Sequence, residues 1–161
     1  MNLKPNVNVS VARRFAASPE RVFDAWLNPE KARRFLFATE SGQMTRVEID
    51  ARGGGSFAFV DRRDGEDIEH TGKYLEIDRP QLLVFTLSVG KYSPREGRVI
   101  IEISPVVGGC ELALTHVGVF AEYAKRTEAG WAGILEALAA TLGESSVSTV
   151  GAPAEKKEES Q

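Results

Sequence analysis

His70 and His116 are the only imidazoles in a chain of 161 residues, so any acid, base or metal chemistry that needs imidazole must use one of them. His116 alternates with Cys110, Leu112 and Leu114, a period of two that turns it inward near the end of a strand. There it could bond to backbone or water as a core histidine, or touch a ligand. His70 shares a face with Ile68 and Tyr74 unless a bulge intervenes, and Leu75 and Ile77 break that alternation. A metal centre would need further nitrogen, sulfur or carboxylate ligands at fixed spacing. The sequence contains no His-X-X-X-His, no Cys-X-X-Cys and no acidic loop of calcium-binding spacing, so we expect neither metal nor cofactor.

Cys110, the one cysteine, could lie on the same inward face beside His116, but a thiol inside an apolar alternation reads as core rather than nucleophile. No catalytic residue is assigned. Gly53-Gly54-Gly55 lacks the lysine and helix that a phosphate loop requires and runs instead into Phe57 and Phe59, so it reads as a turn. Lys31, Arg33 and Arg34 form a basic patch that reads first as solvated surface. Trp26, Phe57, Phe59, Phe85, Phe120 and Trp131 are spaced so that many can face one region, where they could simply fill a core or line a cavity. With Leu135 as further apolar wall and His70, Tyr74 and His116 as polar contacts, such a cavity would have the usual mix of a ligand site.

The elements that must position these residues are legible. Val7, Val9, Val11 and Phe15 alternate as a first strand. Ser18, Pro19 and Glu20 supply a capping hydroxyl, a first-turn proline and an early acid for a short helix carrying Val22, Phe23, Trp26 and Leu27. Asn28-Pro29 divides it from a second short helix over Glu30 to Phe35. From Gln43 to His116 the pattern is strand and turn, with Asp64-Gly65 as a hairpin signal and spacings that suit a six-stranded antiparallel meander. Phe120 to Leu142 then reads as one long helix, with Trp131, Ile134, Leu135, Leu138 and Leu142 recurring at three and four. Gly130 and Gly133 within it call for a bulky neighbour at close approach. After Leu142 the chain turns polar and is expected to be a disordered tail, residues 143–161, beside one domain over 1–142.

A formal charge of -3, from 20 basic and 23 acidic residues, offers no basic footprint for nucleic acid. No apolar run approaches a membrane span and the start lacks a signal-peptide pattern, so a cytoplasmic protein is expected. Oligomeric state is not legible.

Ser18 to Trp26, Gly53 to Phe57, Gly72 to Pro80, Leu82 to Thr86, Leu112 to His116 and Gly130-Trp131 follow one another in an order that resembles the SRPBCC (START-like) superfamily, and most closely the subgroup named for activators of the 90-kDa heat-shock-protein ATPase. The resemblance implies an α+β helix-grip fold: a curved antiparallel sheet wrapped around a long C-terminal helix, with two short helices after the first strand closing one end of a cavity. Many relatives carry a tryptophan where this chain has Phe35 or Phe37. Non-catalytic binding of a small, mostly apolar molecule is the first function this implies. The alternatives are a protein-interaction module, whose full chaperone activators carry an additional N-terminal domain, and an enzyme of cyclase or hydrolase type acting on an apolar or aromatic compound.

Overall fold

The computed structural model describes residues 6–37, 42–90 and 97–143. Strand β1 (Asn6–Phe15) leads into helix α1 (Pro19–Leu27), whose first turn is capped as the sequence predicts: Ser18 Oγ accepts the Arg21 N–H at 3.2 Å. Asn28 ends α1 and caps α2 (Pro29–Phe35), its Oδ1 accepting the N–H groups of Glu30 and Lys31. Six strands follow: β2 (Gln43–Ile49), β3 (Ser56–Arg63), β4 (Glu66–Asp78), β5 (Leu82–Val89), β6 (Gly97–Val106) and β7 (Gly109–Phe120). Asp64 and Gly65, at φ 51° and 77°, make the two-residue turn between β3 and β4 that twisted hairpins favour. The six strands form the expected meander, and β1 returns to pair with β7, giving one antiparallel sheet in the order β1-β7-β6-β5-β4-β3-β2. The curved sheet and the long C-terminal helix α3 (Ala124–Thr141) make an α+β helix-grip fold.

Two bulges decide which side chains enter the grip. The register of β4 on β5 shifts between Tyr74 and Glu76, which throws Leu75 out to 52% exposure while His70 and Tyr74 stay buried on the inner face. That bulge is the break in alternation visible around Leu75. On β7, three residues span what two span on β1, and Gly118 takes φ +89° there, a conformation glycine adopts without steric penalty. Beyond it Val119 is the buried residue, and Phe120 is turned off the inner face, half-buried with its ring 6.3 Å from that of Tyr123. The expectation that Phe120 lines the interior is therefore corrected: the bulge inverts its parity.

A short 3-10 turn (Ala121–Tyr123) precedes α3, which at about 1.5 Å per residue runs roughly 27 Å across the sheet. Trp131, Leu135, Leu138 and Ala139 bury against β1, β7 and α2. Arg13, on the inner face of β1 with Val9, Val11 and Phe15, lies buried and donates from Nε to Glu136 of α3 at 3.1 Å. The two helical glycines do not meet the bulky neighbour expected of them. Both face solvent, and a Cβ on Gly130 or Gly133 would find nothing within 4 Å. Glycine there only weakens the helix, so Gly130→Ala and Gly133→Ala are each expected to raise stability by about 0.5–1 kcal/mol, read as a higher urea midpoint at unchanged slope. The tail expected from residue 143 onward lies, apart from Gly143, outside the described residues.

Candidate functional site

The interior divides into two ends. At one, Trp26 of α1, Leu36, Phe57 of β3, Tyr74 of β4 and Leu83 and Phe85 of β5 enclose a void of only about 10 Å³, at the limit of what one water needs. Phe57 meets Phe85 edge-to-face at 5.4 Å and Tyr74 at 5.4 Å, and Trp26 meets Phe35 at 5.2 Å. These rings fill the space that the sequence reading had them line, so Trp26, Phe57, Tyr74 and Phe85 are packed core at this end rather than walls of an open cavity. Leu135 is likewise fully buried in the core. Burial raises the Tyr74 hydroxyl above its ordinary pKa.

The other end carries both histidines. Phe37, immediately after α2, stacks on His70 with ring centroids 4.3 Å apart and planes 14° from parallel. The same ring meets Phe59 edge-on at 5.5 Å and Trp131 at 6.0 Å. Trp131 donates its indole Nε1–H to His116 Nδ1 at 3.0 Å, joining α3 to β7. That bond requires Nδ1 to be the unprotonated nitrogen, so His116 is a neutral imidazole carrying its proton on Nε2. Gly97 of β6 makes room for this ring, since a Cβ there would lie 2.7 Å from His116 Nε2. Burial pushes His116 down to about 4. Burial does the same for His70, helped by the Arg63 guanidinium and opposed by the Phe59 backbone and Asp61, and it too falls to about 4. His70 Nδ1 is buried with no hydrogen-bond partner among the described residues, as is Trp26 Nε1 at the packed end.

This architecture, one helix gripped by a meander with an aromatic interior, coincides with a match over residues 16–143 to the family described as Activator of Hsp90 ATPase homolog 1-like protein, AHSA1. The chain belongs to that family. Protein CV1439 from Chromobacterium violaceum is similar at 25% identity and a TM-score of 0.78, over 86% of this chain and 98% of its own. Mll3558 from Rhizobium loti is similar at 25% identity and 0.74, over 87% and 99%. An AHSA1-like protein from Aeromonas hydrophila shares the fold at 20% identity and 0.73, over 85% and 92%. None of the curated proteins matches the chain.

Within this AHSA1-like domain the structure also assigns residues that the sequence reading passed over. Phe37 is the aromatic of the Phe35/Phe37 pair that reaches the histidine end, because Phe35 is taken up by Trp26. Asp61 and Arg63 continue the inward parity of Phe57 and Phe59; Asp61 is 1% exposed and 2.5 Å from Arg63 Nε. Counting on by two from Phe59 would have found both. Cys110 is fully buried, but it lies six positions before His116 along β7, about 20 Å away, so the two form no nucleophile and base pair. Gly53-Gly54-Gly55 is a turn tied to β4, Gly54 donating to the Tyr74 carbonyl and Tyr74 donating back to that of Gly55. Lys31, Arg33 and Arg34 are exposed on α2, with Arg33 3.9 Å from Glu30. Among the described residues no three His, Cys, Asp or Glu side chains gather as a metal ion would need, and no helix is long and apolar enough to cross a membrane.

Proposed function

We propose that this AHSA1-like domain binds, without catalysing a reaction, a small and mostly apolar molecule at the histidine end of its interior, and does so in the cytoplasm, where Cys110 stays reduced. The observation that carries the reading is the unpartnered, buried Nδ1 of His70, whose ring stacks on Phe37, itself packed edge-on against Phe59 and Trp131. A buried polar atom left without a partner costs about 1–3 kcal/mol, and one hydrogen-bonding group on an otherwise apolar guest removes that cost. The aromatic shell supplies the apolar contact.

The test is a thermal-shift screen of hydrophobic metabolites, followed by titration of any hit into the parent protein and into His70→Phe. A guest that prefers the folded state raises the melting temperature. The variant keeps a flat ring against Phe37 and removes the nitrogen, so affinity should fall about five- to hundredfold. No shift with any compound, or equal affinity in the variant, would count against the reading.

The family's own description favours a second reading, contact with a chaperone ATPase. Stimulation of Hsp90 ATP hydrolysis by this chain, with no small-molecule hit, would move the conclusion there.

A further inference from the structure

We propose that Phe37 is a displaceable plug, its ring holding the place that a flat aromatic ring of the guest takes between His70, Phe59 and Trp131. The proposal rests on the ligand-binding reading above and specifies which part of the guest the histidine end receives.

Three features of the slot support it. The first is its shape. One imidazole face lies nearly parallel to the Phe37 ring at 4.3 Å, while Phe59 and Trp131 meet that ring at 80° and 62°. Such a slot rewards a planar ring with one stacked and two edge contacts, and an aliphatic chain would forfeit the stack. The second is the backbone of the plug. Phe37 sits at φ +62°, just past the end of α2, where helices commonly end on glycine and where a bulky side chain is disfavoured. Its ring contacts hold an unfavourable conformation in place. A guest that supplies the same contacts lets the Phe37 backbone relax, so exchange of one ring for the other is favoured on both counts.

The third feature is the contrast with the packed end. There Trp26 and Phe35 lie in regular helices and Phe57 and Phe85 in regular strands, and none of them has a left-handed backbone. Nothing at that end is poised to move. Among the described residues at the histidine end, the one strained residue is also the one whose ring fills the slot.

The experiment titrates 2-naphthol into the full chain, its Phe37→Gly variant and Leu83→Ala, the last being a cavity made at the packed end. Binding is followed by NMR through the Trp131 indole N–H and the proton contact between the Phe37 and His70 rings. In the parent protein that ring-to-ring contact should vanish as naphthol binds. Phe37→Gly relieves the strain and empties the slot, so it should bind at least tenfold more tightly than the parent, whereas Leu83→Ala should gain less than threefold. If Phe37→Gly does not fold, Phe37→Leu, which removes the stack and keeps apolar bulk, takes its place in the comparison. Binding to the parent with the Phe37–His70 contact intact overturns the plug and leaves the ligand-binding reading standing. An equal gain in Leu83→Ala overturns it as well, because any cavity would then do. Failure of naphthol and of the whole metabolite panel in both parent and Phe37→Gly overturns the ligand-binding reading itself.

Discussion

Gly72→Ala is expected to destabilise the fold by upwards of about 3 kcal/mol, the high end of what an overpacked core costs. The reason is space, since Gly72 has no left-handed backbone. A Cβ there would lie 1.9 Å from the Thr86 carbonyl oxygen and 2.7 Å from two ring carbons of Phe57. Neither neighbour can give way. Thr86 is held in β5 between β4 and β6, and its Oγ1 also accepts the Lys73 N–H at 2.9 Å. The Phe57 ring is wedged against Phe59, Tyr74 and Phe85 at the packed end, where about 10 Å³ is open. Gly53→Ala is the control: its Cβ would meet nothing within 4 Å, so a change within about 0.5 kcal/mol is expected. Urea unfolding of the two variants at one pH decides the matter. Similar midpoints for both would mean that the two strands and the ring can part at little expense, and the packed end would have to be looser than described.

What the sequence showed of this molecule follows from how local each feature is. Strand parity in Val99, Ile101 and Ile103, the Ser18 cap and the Asp64-Gly65 turn depend on near neighbours in the chain, and the structure repeats them. The candidate site was half legible for the same reason. Alternation turned His116 inward and left His70 on the face of Ile68 and Tyr74 only if no bulge intervened, but it could not say where a bulge restarts the count, and one bulge at Leu75 preserved His70 and Tyr74 while another at Gly118 expelled Phe120. Arg13 and Asp61 show a different gap. Both lie on inward positions of well-read strands, yet the sequence alone assigns them no role; Glu136 of α3 and Arg63, two residues along the same strand, make their burial tolerable. Phe37 has no local signal, because its importance lies in a backbone conformation that phenylalanine seldom adopts and in three rings from three other elements.

Acid should unfold this protein earlier than its carboxylates alone would require. Both histidines stand at about 4 in the folded chain against 6.5 for an ordinary imidazole, because burial disfavours the charged ring. Between those values the unfolded chain binds protons that the folded chain refuses, so their stabilising contribution is complete above about pH 6.5 and drains away as pH falls toward 4. Each fully depressed imidazole contributes a slope approaching about 1.4 kcal/mol per pH unit in that window; His116 retains some solvent contact, and a discounted loss for the pair from pH 7 to 5 is roughly 2–4 kcal/mol. The three carboxylates held below their ordinary values add little between pH 7 and 5. Hydrogen bonds from Arg79, Arg46 and Arg62 hold Asp24, Glu48 and Asp67 below ordinary values of 3.8 to 4.5, so what they contribute is lost only at lower pH. Protonation also has a local consequence, since a doubly protonated His116 can no longer accept from the Trp131 indole and the link from β7 to α3 opens. Urea midpoints at pH 7, 6 and 5 should therefore fall steeply in the parent protein, about half as steeply in His70→Phe or His116→Gln, and little in the double variant. Glutamine is chosen because its Oε1 can still take the indole proton without titrating. A double variant as acid-sensitive as the parent would place the loss on other groups and remove the neutral, buried state of both imidazoles on which the site's chemistry is built.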